Sequence, residues 1–155
     1  MKNSGLTIYL AGPIDLAKTN TNWKQELNTK LSELGVTAVM FDPAGSFKCP
    51  NWGAPDIVRS EFIESVNEFA LFRSDLFIVC LPHDVQSIGV PIEIDMAVKA
   101  GKDVILLTDI ACGKSAYLDN RVGANGRILV DFNSKESISV GISQMVDMIC
   151  QDEVN

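Results

Sequence analysis

At 155 residues and a formal net charge of −7, the chain has the size of one domain with its own core, and it lacks the basic character that binding a DNA or RNA polymer demands. Its 46% hydrophobic and 21% charged residues are those of an ordinary soluble globule. No apolar run reaches transmembrane length and the start, MKNSGLTIYL, has no long apolar stretch of the signal-peptide kind, so the expectation is a cytoplasmic protein without membrane partners.

Leu6 to Ala11 reads as an apolar strand that runs into the turn signal Gly12-Pro13. Trp23, Leu27, Leu31 and Leu34 make one helical stripe within Asn22 to Leu34, which Gly35 ends. Val36 to Phe41 is a second strand, halted by Asp42-Pro43. Ala44 to Pro55 shows no clean period and reads as a long ordered loop carrying Phe47 and Trp52. Asp56 is placed to cap a helix over 57–72, with Val58, Phe62, Val66, Phe69 and Ala70 inward and Glu61, Glu64 and Glu68 outward. Leu76 to Leu81 is so apolar that it belongs at the centre of a sheet.

The stretch Ser87 to Leu107 then reads as a loop, a short helix stopped by Gly101, and a buried strand from Val104. Asp109 to Gly126 reads as irregular, Arg127 to Phe132 as a fifth strand, and Ser134 to Cys150 as a closing helix with Ile138, Ile142, Met145, Val146 and Ile149 inward. Strands alternate with helices throughout. The pattern predicts a single α/β domain over 1–155: a five-stranded parallel sheet of flavodoxin-like order 2-1-3-4-5, with helices on both faces. Tyr9, Gly12, Asp75, Ser87 and Glu93 are expected at or near the crevice of its switch point.

Glu93 is the residue with most chemical promise. The punctuation by Gly89 and Pro91 puts it in the first helical turn, where unpaired N–H groups favour an ionised carboxylate. Such a carboxylate is either a simple dipole partner or a nucleophile beside a ligand, and spacing alone leaves both open. Other motifs fail. The run Cys112-Gly113-Lys114-Ser115 lacks the earlier glycine of a P-loop, since Thr108 holds that position, and no GxGxxG follows any strand. Cys49, Cys80, Cys112 and Cys150 have no CxxC spacing, and with His83 as the one histidine a zinc site is not expected.

Taken together, three stretches resemble the nucleoside 2-deoxyribosyltransferase superfamily, which includes deoxynucleoside 5′-monophosphate N-glycosidases. They are Thr7 to Pro13; Phe69 to Val79; and Ser87-Ile88-Gly89-Val90-Pro91-Ile92-Glu93 with Ala97 and Ala100-Gly101-Lys102. The resemblance implies that Glu93 attacks the anomeric carbon of a 2-deoxyribose as a retaining nucleophile, with Tyr9 orienting it. It implies a transferase that passes the sugar to another base or, alternatively, a 5′-monophosphate hydrolase, with no cofactor or metal. It also implies a homo-oligomer with shared sites, acting on a small nucleoside or nucleotide.

The loop led by Gly12 and Pro13 would lie along base and sugar, and Gly89 belongs to the same binding set. Asn67 stands where the family usually has an aspartate that protonates the departing base, and asparagine cannot act as a general acid. Asn67 and Asp84 are then expected at the base, with Glu68, Asp42, Asp84 or water as proton source. Ser87 takes a position that is serine in the monophosphate branch and aspartate in the transferase branch. Asn125 or Gly126 takes the position near which the transferase branch carries an asparagine that reaches the sugar from a neighbouring subunit, and Asn125 is the candidate for the sugar 5′ end. Asn67 also leaves room for a different class, a nucleotide-binding module without catalysis.

Overall fold

A computed structural model of the chain describes residues 5–12, 22–43, 56–85, 87–109, 116–123 and 125–152. Strands β1 (Leu6–Ala11), β2 (Ala38–Phe41), β3 (Leu76–Leu81), β4 (Asp103–Thr108) and β5 (Arg127–Leu129) form one sheet in the order β2-β1-β3-β4-β5. Every neighbouring pair is parallel, as the alternation of strands and helices predicts. All six residues of β3 are buried, which is what a central strand covered on both faces requires.

Helices α1 (Trp23–Glu33) and α5 (Lys135–Asp152) cover one face. Trp23, Leu27 and Leu31 meet Ile138, Ile142, Met145, Val146 and Ile149 there, over Ile8, Ile78 and Leu107 of the sheet. Leu34 departs from the expected stripe and is exposed, because the helix has already ended and Gly35 turns the chain with φ +74. The other face carries α2 (Asp56–Arg73), α3 (Gly89–Lys99) and α4 (Ala116–Val122), packed over Tyr9, Phe77, Val79 and Leu106.

Several expected boundaries and faces change. Helix α4 occupies part of the segment read as irregular. Strand β5 is three residues long rather than six, and β2 begins at Ala38 rather than Val36. In α2, Asp56 is itself helical, Phe62 and Phe69 are exposed, and Leu71 is the buried residue, with Val66 and Ala70 half-buried. This helix is apolar over much of its circumference, so periodicity does not choose its inner face. The Tyr9–Phe77 layer beneath it accepts Leu71 and Ala70. The side chain of Val58 and the loop with Phe47 and Trp52 lie outside the described residues.

Gly126 fixes the seam between β4 and β5. Its carbonyl accepts a 2.7 Å hydrogen bond from Leu106 N, and a Cβ there would lie 2.4 Å from the Val104 carbonyl oxygen. Backbone must move to admit even a methyl group. Gly126→Ala is expected to cost about 1–3 kcal/mol in denaturant unfolding, the usual range for overpacking.

Candidate functional site

The sheet holds Tyr9 in the middle of β1, level with Phe41 of β2 and Phe77 of β3. Because the three strands are parallel and in register, their side chains emerge on the same face. The Tyr9 ring therefore lies between Phe41, 5.4 Å away and tilted, and Phe77, 5.1 Å away and stacked. The residue has no exposed surface, and a buried phenol needs a partner for its hydroxyl. That partner is Glu93: the Tyr9 hydroxyl donates to Glu93 Oε1 at 2.7 Å.

Glu93 is the fifth residue of α3, one turn further in than the punctuation suggests. Gly89 is the first helical residue rather than part of the loop, and Ser87 Oγ accepts the Val90 N–H at 3.2 Å just ahead of it. The carboxylate thus points from the second turn toward the sheet instead of capping free N–H groups. Burial raises its proton affinity, and the Tyr9 hydrogen bond and the charge of Lys24 offset this only in part, so the net direction is upward. The Tyr9 phenol is pushed well above its ordinary range, first by burial and then by the Glu93 charge. Tyr9 therefore remains the donor, and it serves to aim and hold the carboxylate rather than to trade protons with it.

Lys24, which sequence reasoning did not single out, stands at the same edge of the sheet through Asp42, which follows Phe41 of β2. It stands in the first turn of α1 and pairs with Asp42 Oδ1 at 2.5 Å, at the carboxyl end of β2. Both side chains are partly buried. Asp42 is thus engaged with a cation, and its charge acts on the Tyr9 phenol as well. The only sequence signal was a charged residue beside each of two strand or helix ends; their meeting is tertiary.

The other expected residues divide between the two edges of the sheet. Gly12, half-buried, follows β1 directly, and Asp84 is exposed in the turn after β3. Beside it, Asp109 Oδ2 accepts both His83 N at 3.0 Å and His83 Nδ1 at 2.5 Å, tying the loop that leads to α3 onto the end of β4. Asn67 in α2 has a buried Oδ1 with no hydrogen-bond partner among the described residues. Pro13 lies outside the described residues.

Asp75 and Asn125 are at the opposite, amino edge. Asp75 Oδ2 accepts the Thr7 N–H at 2.8 Å. Both residues line an open cleft of about 710 Å³ with Leu6, Lys102, Asp103 and Gln151. Asp75 is therefore a strand-start residue and not part of the crevice at the switch point. Asn125 does not join Glu93 of the same chain either, because the turn before β5 necessarily lies at the amino end of a parallel strand.

Among the described residues, no three His, Cys, Asp or Glu side chains are grouped to hold a metal ion, and no helix is long and apolar enough to cross a membrane. No family model and no curated protein sequence matches the chain. Solved structures do share its fold. A CMP N-glycosidase from Clostridium botulinum is 19% identical, with 90% of this chain and 98% of that one covered at a TM-score of 0.57. A 2-deoxyribosyltransferase from Bacillus psychrosaccharolyticus is 17% identical, covering 85% and 95% at 0.55. A conserved protein from Enterococcus faecalis V583 is 20% identical, covering 92% and 99% at 0.62. The sheet order and helix placement are therefore those of a CMP N-glycosidase and of a 2-deoxyribosyltransferase; the likeness is one of fold.

Proposed function

We propose that this protein is an enzyme of the nucleoside 2-deoxyribosyltransferase kind, cleaving the N-glycosidic bond of a 2′-deoxynucleoside or its 5′-monophosphate through a glycosyl-Glu93 intermediate. The observation that carries the reading is the hydrogen bond of a fully buried tyrosine to Glu93, 2.7 Å long and spanning 84 residues of sequence. With Oε1 held by Tyr9, Oε2 is the oxygen that attacks C1′. The C1′–N bond breaks with its electron pair going to the base, which takes up a proton. A second base then attacks C1′, the C1′–O bond returns its electrons to Glu93, and the incoming nitrogen loses a proton. Two inversions leave the anomeric configuration retained.

Gly12, Pro13, Asn67 and Asp84 are assigned to the base side. The buried, unpartnered Oδ1 of Asn67 suits a hydrogen bond from an exocyclic amine, since a buried acceptor left empty is costly. Ser87 and Gly89 are assigned to the sugar 5′ end. Asn125 stands at the far edge of its own sheet, so the same reading has it serve a neighbouring copy in a homo-oligomer.

Hydrolysis of a 5′-monophosphate is the second reading. Ser87 favours it: its oxygen accepts from Val90, which leaves its O–H free to donate to a phosphate, and one structure of the same fold is a CMP N-glycosidase. The test incubates the protein with deoxynucleosides and deoxynucleoside monophosphates, with and without a free acceptor base. New nucleoside supports transfer. Free sugar phosphate alone supports hydrolysis. Tight nucleotide binding without base release over hours overturns both in favour of a binding module.

A further inference from the structure

Where the chain leaves β3 for α3, it is fastened to the carboxyl end of β4 at two successive points. Thr108, the last residue of β4 and fully buried, donates from Oγ1 to the Leu81 carbonyl at 2.8 Å. One residue on, Asp109 Oδ2 accepts the His83 backbone N–H at 3.0 Å and meets His83 Nδ1 at 2.5 Å. The strand pairing itself ends at Leu81 and Thr108, so beyond it these side chains carry the connection. A carboxylate that takes both the backbone N–H and the ring of one residue fixes where that residue sits and how it is turned. The turn it holds is closed by a 3.4 Å hydrogen bond from Val85 N to the Pro82 carbonyl. Asp84 lies within that turn, and Ser87 follows it, accepting the Val90 N–H at 3.2 Å ahead of Glu93 on the same helix.

We propose that Asp109 is a positioning residue for the substrate: it clamps His83, and with it the turn through Val85, so that Asp84 and Ser87 stand where a nucleoside or nucleotide meets them. This inference rests on the proposed function, in which Asp84 and Ser87 bind, and gives neither Asp109 nor His83 a contact with the reacting atoms. Glu93 is held separately, by Tyr9 from β1, so the clamp acts on binding rather than on bond cleavage. Its two bonds differ in kind. The backbone bond is present whatever the state of the ring. The ring bond has Nδ1–H as donor and is strengthened when the imidazole takes a second proton. The Asp109 hydrogen bond, with the charges of Asp109 and Asp84 behind it, raises the proton affinity of His83 against an opposing effect of desolvation. These two carboxylates are the charged groups that act on the half-exposed ring. A raised folded-state value means that the clamp is tightest below the His83 midpoint and slackens as pH rises through it.

The test combines kinetics with an NMR titration of the whole protein, in which His83, the one histidine of the chain, supplies an unambiguous ring signal. Asp109→Asn keeps an acceptor oxygen without the charge and is expected to lower the His83 midpoint. In base-release assays Asp109→Ala raises KM roughly tenfold and leaves kcat within about twofold, while Asp109→Asn restores part of the loss. His83→Ala raises KM about threefold alone and adds nothing to Asp109→Ala, because the two residues act as one clamp. Wild-type KM increases as pH passes up through the His83 midpoint, and His83→Ala lacks that increase. A KM unmoved in both alanine variants overturns the proposal, as do losses that fall on kcat or that add in the double variant. Should Asp109→Ala not fold, His83→Ala decides. If the wild type releases no base, the proposed activity fails by itself. The clamp is then read from calorimetric dissociation constants for deoxynucleosides and their monophosphates: the same ordering of variants supports it, and constants equal to the wild type overturn it.

Discussion

Glu93→Gln is expected to abolish the proposed base release, lowering it by at least about 10³-fold, because an amide oxygen neither carries the charge nor forms a stable bond to C1′. The variant keeps the shape of the site, and Tyr9 still donates to the side-chain oxygen. It is also expected to be more stable than the wild type near neutral pH. The sign follows from the direction of the shift: burial raises the folded-state pKa of Glu93, so the ionised form is less welcome in the folded chain than in the unfolded one. Stability from this group is present below its unfolded pKa and is lost as pH rises through the folded one. Removing the charge restores it, and Tm rises by about 2–4 °C if the gain is about 1 kcal/mol, the conversion for a chain of this size. Mass spectrometry of acid-quenched and digested wild type with substrate should show a deoxyribosyl adduct on the Glu93 peptide. Wild-type activity in Glu93→Gln would dismiss the mechanism. Such a trade of stability against activity is what a reactive group held in a partly dry site entails.

Tyr9→Phe isolates the hydroxyl, because the ring remains packed between Phe41 and Phe77. A hydrogen bond to a charged group contributes about 1.5–3 kcal/mol, so the expected loss in kcat is roughly 10- to 150-fold. The loss has a pH signature. The Tyr9 bond favours the ionised carboxylate; without it Glu93 holds its proton to higher pH, and the acid limb of the rate profile moves upward. Activity on the acid limb falls further than activity on the plateau above it. A Tyr9→Phe enzyme with the wild-type rate and an unmoved acid limb would remove Tyr9 from the site. Fold and site thus depend on one side chain in different ways, the ring on packing and the hydroxyl on chemistry.

How much of this was legible beforehand differs from residue to residue. The buried stripes of α1, apart from Leu34, and of α5 read correctly because most residues outside them are polar, with Val140 the exposed apolar exception in α5. Helix α2 did not. Phe62, Ile63, Val66, Phe69, Ala70, Leu71 and Phe72 surround much of it, and only the shape of the Tyr9–Phe77 layer turns Leu71 inward. Helix α4 escaped notice because it is seven residues long, too short for a repeating stripe. Glu93 was legible as a residue, but its place was set one turn too early, since Gly89 reads as a breaker and behaves as the first helical residue.

What the sequence determined by itself is the order of the strands and of every described helix but α4, the parallel sheet, and the central position of β3. These follow from local periodicity and from the constraint that strand–helix–strand crossovers are right-handed. Only the tertiary structure decided which charges meet. Tyr9 and Glu93 lie 84 residues apart, Lys24 and Asp42 lie 18 apart on different elements, and Asp75 and Asn125 fall at the amino edge of the sheet rather than beside Glu93. Contacts of that kind depend on strand register and helix rotation, to within about an ångström, and no local pattern of residues encodes either to that precision.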